Sequence, residues 1–176
     1  MTVFLPPLTL VLGGAASGKS AYAESLVVQS GLERVYIATA QAFDAEMTDK
    51  IADHRKSRGP DWTTVEEPYD LAPHLAGVTA DQIVLLDCAT MWLSNHLLAE
   101  NDIKVAADLL LNALAACPAP VIVVSNEVGA SIVPETPLGR RFREAQGRLN
   151  QDLAARSDLV VAVMAGLPLV LKGSLP

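Results

Sequence analysis

The sequence predicts an α/β fold in three layers with a mainly parallel central sheet. Short apolar runs rich in Val, Ile and Leu recur along the 176 residues without alternating with polar residues. Such runs are typical of strands covered on both faces. Stretches with helical spacing lie between them, and strands that alternate with helices build parallel sheets. A chain of this length fits one domain, residues 1–176, with a sizeable core.

The elements are predicted in the following order. Strands are expected at 8–12, 34–38, 82–86, 120–125 and 158–164, with a last, short strand at 169–171. Helices are expected at 18–29, 44–54, 105–116 and 138–155. The stretch 57–77 contains three prolines and mixed charges, and it is predicted to form loops with one short strand at 62–65.

Composition narrows the choice of partners and location. The net charge of −7 disfavours nucleic acid as a partner, because an acidic chain repels phosphate backbones. No apolar run reaches the roughly 18 residues that a membrane helix needs, and the N-terminus lacks a basic leader, so a cytoplasmic location is expected. The spacing of Cys88 and Cys117 matches no zinc or redox pattern, which favours two free thiols.

A glycine-rich segment between the first strand and the first helix fits the phosphate-binding pattern G-x-x-x-x-G-K-[ST]. Its backbone N–H groups and the following helix N-terminus would cradle phosphates. Lys19 would reach the outer phosphates and the Ser20 hydroxyl would bind Mg²⁺. The pattern therefore indicates a P-loop NTPase-like version of the three-layer fold. The segment consists of Gly13, Gly14, Ala15, Ala16, Ser17, Gly18, Lys19 and Ser20.

Polar residues follow several of the predicted strands directly. In parallel α/β sheets ligands bind beyond the carboxyl ends of the strands, so these residues should converge on one edge. Asp87 ends the run 83–86 and is expected to be the second Mg²⁺ anchor. The other polar clusters are 13–20, 39–41 and 126–127. No Asn-Lys-x-Asp guanine-reading motif occurs, which disfavours a signalling GTPase.

An ordered set of segments across about residues 8–173 resembles the adenosylcobinamide kinase/adenosylcobinamide-phosphate guanylyltransferase family. The phosphate loop alone is shared by many families, whereas the ordered set is highly specific. The segments are 13–20 (GGAASGKS), 36–41 (YIATAQ), 44–47 (DAEM), 54–55 (HR), 62–68 (WTTVEEP), 85–95 (LLDCATMWLSN), 125–129 (SNEVG), 132–135 (IVPE), 139–143 (GRRFR) and 147–151 (GRLNQ).

The resemblance implies two reactions and a homotrimer. A nucleoside triphosphate, GTP or ATP, would phosphorylate adenosylcobinamide, and GMP from GTP would then pass to that phosphate through a covalent bond to His54. Both nucleotides remain candidates for the first step. Beyond the phosphate loop, the implied nucleotide contacts are Thr39, Ala40, Gln41, Arg55, Lys56, Ser57, Arg58, Glu66 and Asp87.

Several features leave alternatives open. The family usually carries Arg where this chain has Ala16, so a charge-assisted phosphate contact is absent and the balance of the two activities is in question. A helix C-terminus would favour protonated His54, while the basic residues 55, 56 and 58 would oppose it. Trp62 and Trp92 could line a corrinoid surface, although core packing is favoured. His74 and His96 are expected to be structural.

The last predicted helix carries Arg140, Arg141, Arg143 and Arg148. These arginines could reach substrate phosphate or form a solvated face paired with Glu144 and Asp152, and both interpretations remain open. Two competing functions also explain the phosphate loop. One is a P-loop kinase for another small alcohol or nucleotide, which would not need His54. The other is a non-catalytic GTP-binding module, and neither explains the ordered set of segments.

Overall fold

The computed structural model describes residues 4–41 and 59–176. The predicted helix at 44–54 and the predicted nucleophile His54 lie outside these residues. The strands are β1 (Leu8–Gly13), β2 (Glu33–Ala38), β3 (Trp62–Glu66), β4 (Gln82–Asp87), β5 (Val121–Asn126), β6 (Leu159–Met164) and β7 (Leu167–Lys172). The helices are α1 (Lys19–Ser30), α2 (Ala72–Ala76), α3 (Ala89–Leu98), α4 (Ile103–Ala116) and α5 (Pro137–Arg156).

The strands form one seven-stranded sheet in the order β3-β2-β4-β5-β1-β6-β7. Strands β1 to β6 run parallel to their neighbours, and β7 pairs with β6 in the antiparallel direction. β5 therefore lies between β1, which leads into the phosphate loop, and β4, which ends at Asp87. This order decides which side chains meet at the carboxyl edge of the sheet.

Each face of the sheet has its own apolar core. Helix α1 packs against β1, β4, β5 and β6, and its buried residues join one cluster with Val11, Leu85 and Val124. Helices α2 to α5 cover the opposite face around Leu10, Leu86 and Val123. Because successive strand residues point to opposite faces, the continuous apolar runs read from the sequence fill both cores at once. The three-layer α/β prediction is confirmed.

All six predicted strands are confirmed with ends shifted by one or two residues, and the short strand at 62–65 is β3. The sequence prediction missed two helices, α2 and α3. Helix α2 has only five residues and contains Pro73, so it is too short to show a helical spacing of apolar residues. Helix α3 is buried around most of its circumference, which removes the amphipathic pattern that sequence reasoning uses.

Two further expectations can be compared with the described residues. In the part of the chain that the structure describes, no helix is both long and apolar enough to cross a membrane. Cys88 and Cys117 are free thiols, as expected. Cys88 is buried before the first turn of α3, where its Sγ accepts a hydrogen bond from the Met91 N–H at 3.4 Å.

Candidate active site

The carboxyl ends of five parallel strands bring the predicted polar clusters to one edge. In the register of the sheet, Gly13 of β1 pairs with Asn126 of β5, and Ala38 of β2 pairs with both Asp87 of β4 and Glu66 of β3. The phosphate loop, the residues after Ala38, Asp87 and the 126–127 cluster therefore follow neighbouring strand ends. The convergence that the sequence predicted is present.

The phosphate loop requires glycine at two positions. Gly18 has φ of 91°, in the left-handed region that glycine enters at no steric cost. A Cβ on Gly13 would lie 2.7 Å from the Val163 carbonyl oxygen of β6, so only glycine fits against that strand. Ala16 also has a positive φ, 54°, and its side chain is exposed. These positions confine the turn to the compact form that directs backbone N–H groups at an anion.

The turn between β6 and β7 supports the phosphate loop from outside. The Gly166 N–H donates a 2.8 Å hydrogen bond to the Ser17 carbonyl, and a Cβ on Gly18 would lie 3.1 Å from the Gly166 Cα. Sequence reasoning missed this contact because the two partners lie near opposite ends of the chain. A glycine in a tight hairpin turn was the only signal available.

Lys19 and Ser20 occupy the first positions of α1, at the helix end that favours anions. The Lys19 ammonium donates to the Gly14 carbonyl oxygen at 3.1 Å, so it lies across the loop that it is predicted to serve. Lys19 is also close enough to the end of β4 to favour ionisation of the Cys88 thiol. The lysine therefore lies between the phosphate loop and the Asp87 strand.

Asp87 receives a hydrogen bond that sequence reasoning did not foresee. The hydroxyl of Tyr36, a buried residue of β2, donates to Asp87 Oδ2 at 2.9 Å. Tyr36 in turn packs edge-on against Trp62, with ring centroids 6.1 Å apart. A carboxylate held in this way has a fixed orientation, which is the arrangement that supports metal ligands.

The donor set fits magnesium. Ser20 and Asp87 supply hard oxygen donors, and among residues 4–41 and 59–176 no cluster of three His, Cys, Asp or Glu side chains could hold a metal. Magnesium in nucleotide sites is usually held by one or two protein oxygens together with phosphates and water, so a protein cage is not required.

Thr39 connects the ends of β2 and β4. Its N–H donates to the Asp87 carbonyl at 3.2 Å, its hydroxyl donates to the Cys88 carbonyl at 2.7 Å, and the Cys88 N–H donates back to that hydroxyl at 3.0 Å. The Thr39 side chain is fully buried, so its hydroxyl holds the Asp87 segment in place. Burial and the Asp87 charge raise the pKa of the neighbouring Cys88 thiol to about 11.

The remaining predicted nucleotide contacts fall into two groups. Ala40 and Gln41 follow Thr39 at the site edge and are half-buried, while Glu66 is exposed at the end of β3. Their contact with a nucleotide stays a prediction. The other group lies outside the described residues and comprises His54, Arg55, Lys56, Ser57 and Arg58.

A buried polar network fixes the end of β5. Ser125 donates to Asn150 Oδ1 at 2.6 Å, and Gln146 Nε2 donates to both of these residues at 2.9 Å. The Asn126 N–H donates to the Thr90 hydroxyl at 2.8 Å, and the Asn126 carbonyl accepts from Asn150 Nδ2 at 3.0 Å. These side chains come from α3, β5 and α5, and their meeting cannot be read from local patterns.

The arginines of α5 have several different roles. Arg140 donates to the carbonyls of Pro134 and Glu135, at 3.0 and 2.7 Å, and Arg143 donates to the Gly129 carbonyl. Arg148 forms an exposed ion pair with Glu144, one turn away. Arg140 and Arg143 therefore hold the loop between β5 and α5. Arg148 pairs with Glu144 in solvent, which agrees with the interpretation of these arginines as a solvated face.

Two surface hollows of the described part of the chain lie away from the phosphate loop. One, of about 340 Å³, is lined by Trp92, His96 and residues of α4, and the other, of about 630 Å³, lies between α4 and α5. Trp92 is 2% exposed and donates to the Tyr69 carbonyl at 2.9 Å, as expected for core packing. His96 is buried beside it and bonded to Asn101, whereas His74 is partly exposed near Glu67.

The family model for cobinamide kinase/cobinamide phosphate guanyltransferase matches residues 9–171. The chain belongs to this family. The bifunctional adenosylcobalamin biosynthesis protein CobP of Pseudomonas aeruginosa is 46% identical over 167 residues, which cover 93% of this chain and 96% of the relative. The protein CobU of Escherichia coli is 39% identical over 181 residues, covering 94% and 99% of the two chains. The resemblance inferred from the ordered segments is confirmed.

Solved structures agree on the fold. The flagellar accessory protein FlaH of Methanocaldococcus jannaschii has a TM-score of 0.52 at 12% identity, covering 96% of this chain and 81% of that one. An ATPase from the type III secretion system of pathogenic bacteria has a TM-score of 0.53 at 10% identity, covering 93% and 56%. At such low identity the likeness concerns the three-layer α/β fold alone. A nucleotide-using enzyme fits the family.

Proposed function

We propose that this protein phosphorylates adenosylcobinamide and then transfers GMP from GTP to the resulting phosphate, giving adenosylcobinamide-GDP. The observation that carries the proposal is the meeting of the phosphate loop and Asp87 at one sheet edge, in a chain that belongs to the cobinamide kinase/guanyltransferase family. The family supplies the substrate class, and the site supplies groups suited to phosphoryl transfer.

In the kinase step the protein holds the triphosphate and neutralises its charge. The loop N–H groups and the α1 N-terminus bind the phosphates, and Lys19 moves from the Gly14 carbonyl to the outer phosphates. Ser20 and Asp87 would hold Mg²⁺, which would neutralise charge on the phosphates. The acceptor hydroxyl attacks the terminal phosphorus, the bond to the nucleoside diphosphate breaks, and the hydroxyl proton passes to solvent water. GTP and ATP are both candidate donors.

In the transfer step His54 acts as the nucleophile. Its neutral imidazole attacks the α-phosphorus of GTP, so that a P–N bond forms and pyrophosphate leaves. A phosphate oxygen of the acceptor then attacks the same phosphorus, and the P–N bond breaks. The basic stretch 55–58, together with residues 39–41, Glu66 and Asp87, would hold the guanine nucleotide. This assignment rests on the family resemblance, because residues 54–58 lie outside the described part of the chain.

The proposal also covers the assembly, location and partners of the enzyme. A homotrimer in the cytoplasm, with no nucleic-acid partner, agrees with the family resemblance and with the net charge of −7. Sedimentation of the purified protein tests the trimer directly, and a monomer at working concentration would contradict it.

The covalent intermediate provides the test. The protein is incubated with Mg²⁺ and α-labelled GTP, denatured, and examined for acid-labile, alkali-stable label, with His54→Ala and the matched control His74→Ala alongside. We expect label on the wild type and on His74→Ala and none on His54→Ala. Absence of label from a folded wild type that binds GTP would contradict the histidine mechanism and favour a simple P-loop kinase. Binding of GTP without transfer to any acceptor would favour a non-catalytic module.

A further inference from the structure

Asn126 lies between the two groups that are proposed to hold the outer phosphates. β5 is the strand between β1 and β4, and Asn126 is level with Gly13, the first residue of the phosphate loop. Asp87 is level with Val124, two residues earlier on β5, or roughly 7 Å along the strand. The last residue of β5 therefore reaches the level of the loop itself.

The strand pattern places the Asn126 side chain on the nucleotide side of the sheet. Val124 belongs to the core beneath α1, and Ser125 points to the opposite face, where it bonds Gln146 and Asn150. Strand side chains alternate, so Asn126 returns to the α1 side. The phosphate loop leads into α1 on that side, and Tyr36, the partner of Asp87, belongs to the same core.

The Asn126 backbone is fixed while its amide remains available. Thr90 accepts from the Asn126 N–H and Asn150 donates to its carbonyl, so α3 and α5 hold the main chain from the far face. The side-chain oxygen Oδ1 is buried and has no hydrogen-bond partner within residues 4–41 and 59–176. A buried polar atom without a partner is costly, and in a native protein it calls for an explanation such as an absent ligand.

We infer that the Asn126 amide contacts the terminal phosphate of a bound nucleoside triphosphate, and also the Lys19 ammonium or a water that binds this phosphate. The amide N–H donates to a terminal phosphate oxygen, and Oδ1 accepts from the Lys19 ammonium or from a water on that phosphate. The inference rests on the proposed function and adds one property to it. Asn126 distinguishes a triphosphate from a diphosphate, because only the triphosphate carries the terminal phosphate that its amide contacts.

The test compares two ligands on the full-length protein by calorimetry with Mg²⁺. The ligands are GDP and a GTP analogue with a non-hydrolysable β–γ bridge, and the variants are Asn126→Ala, Asn126→Ser and Asn126→Asp. Losing one hydrogen bond to a charged group should weaken the analogue by about 10-fold or more. GDP affinity should stay within about twofold, and Asn126→Asp should weaken the analogue most, because its carboxylate repels phosphate. Asn112→Ala, an exposed asparagine of α4, should bind like the wild type.

The outcomes separate this inference from the proposed function. Equal weakening of GDP and the analogue would assign Asn126 a purely structural role and overturn the inference, as would unchanged affinity for both. A wild type that binds neither nucleotide would overturn the inference together with phosphate binding itself. Absence of the covalent guanylyl label from the wild type, together with an intact effect of Asn126 on the GTP analogue, would overturn the guanylyl step alone. Asn126→Ser provides the same comparison if Asn126→Ala does not fold.

Discussion

The ends of β4 and β5 lie side by side at the carboxyl edge and are fixed in different ways. Asp87 of β4 is oriented through its side chain, by the Tyr36 hydroxyl, and the residue after it is held by Thr39. Asn126 of β5 is held through its backbone, by Thr90 and Asn150 from the helices, and its amide oxygen has no partner among the described residues. The first end presents an oriented carboxylate, which suits a metal ion, and the second presents an unused amide, which suits a ligand.

Removing the charge of Asp87 should have the largest effect on function. Asp87→Asn keeps the shape and an oxygen near Tyr36 but removes the negative charge that would hold Mg²⁺. We expect phosphate transfer to adenosylcobinamide to fall on the order of 100-fold, since the metal supplies several kcal/mol of charge stabilisation. Steady-state rates against Asp108→Asn, an exposed control on α4, measure this effect. A loss below about threefold would mean that Asp87 is not the metal anchor.

Disrupting the network behind Asn126 should cost stability instead. Asn150→Leu keeps a similar branched shape but removes the acceptor of Ser125 Oγ and Gln146 Nε2 and the donor to the Asn126 carbonyl. We expect a loss of about 2–3 kcal/mol of unfolding free energy. Urea titration should show a lower midpoint with an unchanged slope. Asn112→Leu, on the exposed face of α4, should change stability by less than about 0.5 kcal/mol. Equal effects of the two substitutions would contradict the assigned role of the network.

The end of β4 should also carry a pH dependence through Cys88. Its pKa is raised to about 11 by burial and by the Asp87 charge, from an ordinary value of 9.0. Above pH 9 the unfolded thiol ionises while the folded thiol stays protonated. The stabilisation is therefore present below pH 9 and is lost as the pH rises through about 11, by about 3 kcal/mol in total.

Urea midpoints of the wild type and Cys88→Ala, measured at about pH 8 and about pH 10.5, separate the contribution of Cys88 to unfolding free energy from the titration of Lys and Tyr. The wild type should lose more stability than Cys88→Ala between these two values. Parallel losses would show that Cys88 titrates alike in the folded and unfolded chains.

Freeing the Asp87 carboxylate from Tyr36 should weaken metal binding moderately. Tyr36→Phe keeps the ring against Trp62 and removes only the donor to Asp87 Oδ2. Partners that orient metal ligands typically contribute roughly 10- to 100-fold to metal affinity, and we expect about 10-fold weaker Mn²⁺ binding in the presence of GDP, measured by electron paramagnetic resonance. Tyr69→Phe, at an exposed tyrosine, serves as the control. Unchanged Mn²⁺ affinity would mean that Tyr36 serves only packing.

The same contrast explains what the sequence could predict. Strands β1, β4 and β5 are continuous apolar runs, so their positions and the residues that follow them were predictable, including the phosphate loop and Asp87. Tyr36 was predicted inside a strand, but its bond to Asp87 joins residues 51 positions apart and depends on the sheet order. Thr90, Gln146 and Asn150 meet Ser125 only after two helices have packed on the sheet, and no local pattern marks such contacts.

The smallest effect is expected for the exposed arginine of α5. Arg148 pairs with Glu144 in solvent, and such pairs contribute between 0 and about 1 kcal/mol. Arg148→Met should therefore leave phosphate transfer and the urea midpoint almost unchanged. Arg143→Met removes the donor to the Gly129 carbonyl and should loosen the loop after Asn126. Proteolysis of that loop, compared between the two variants, checks the difference. A loss of phosphate transfer of about tenfold in Arg148→Met would instead show that this arginine reaches substrate phosphate, and the α5 face would then belong to the site.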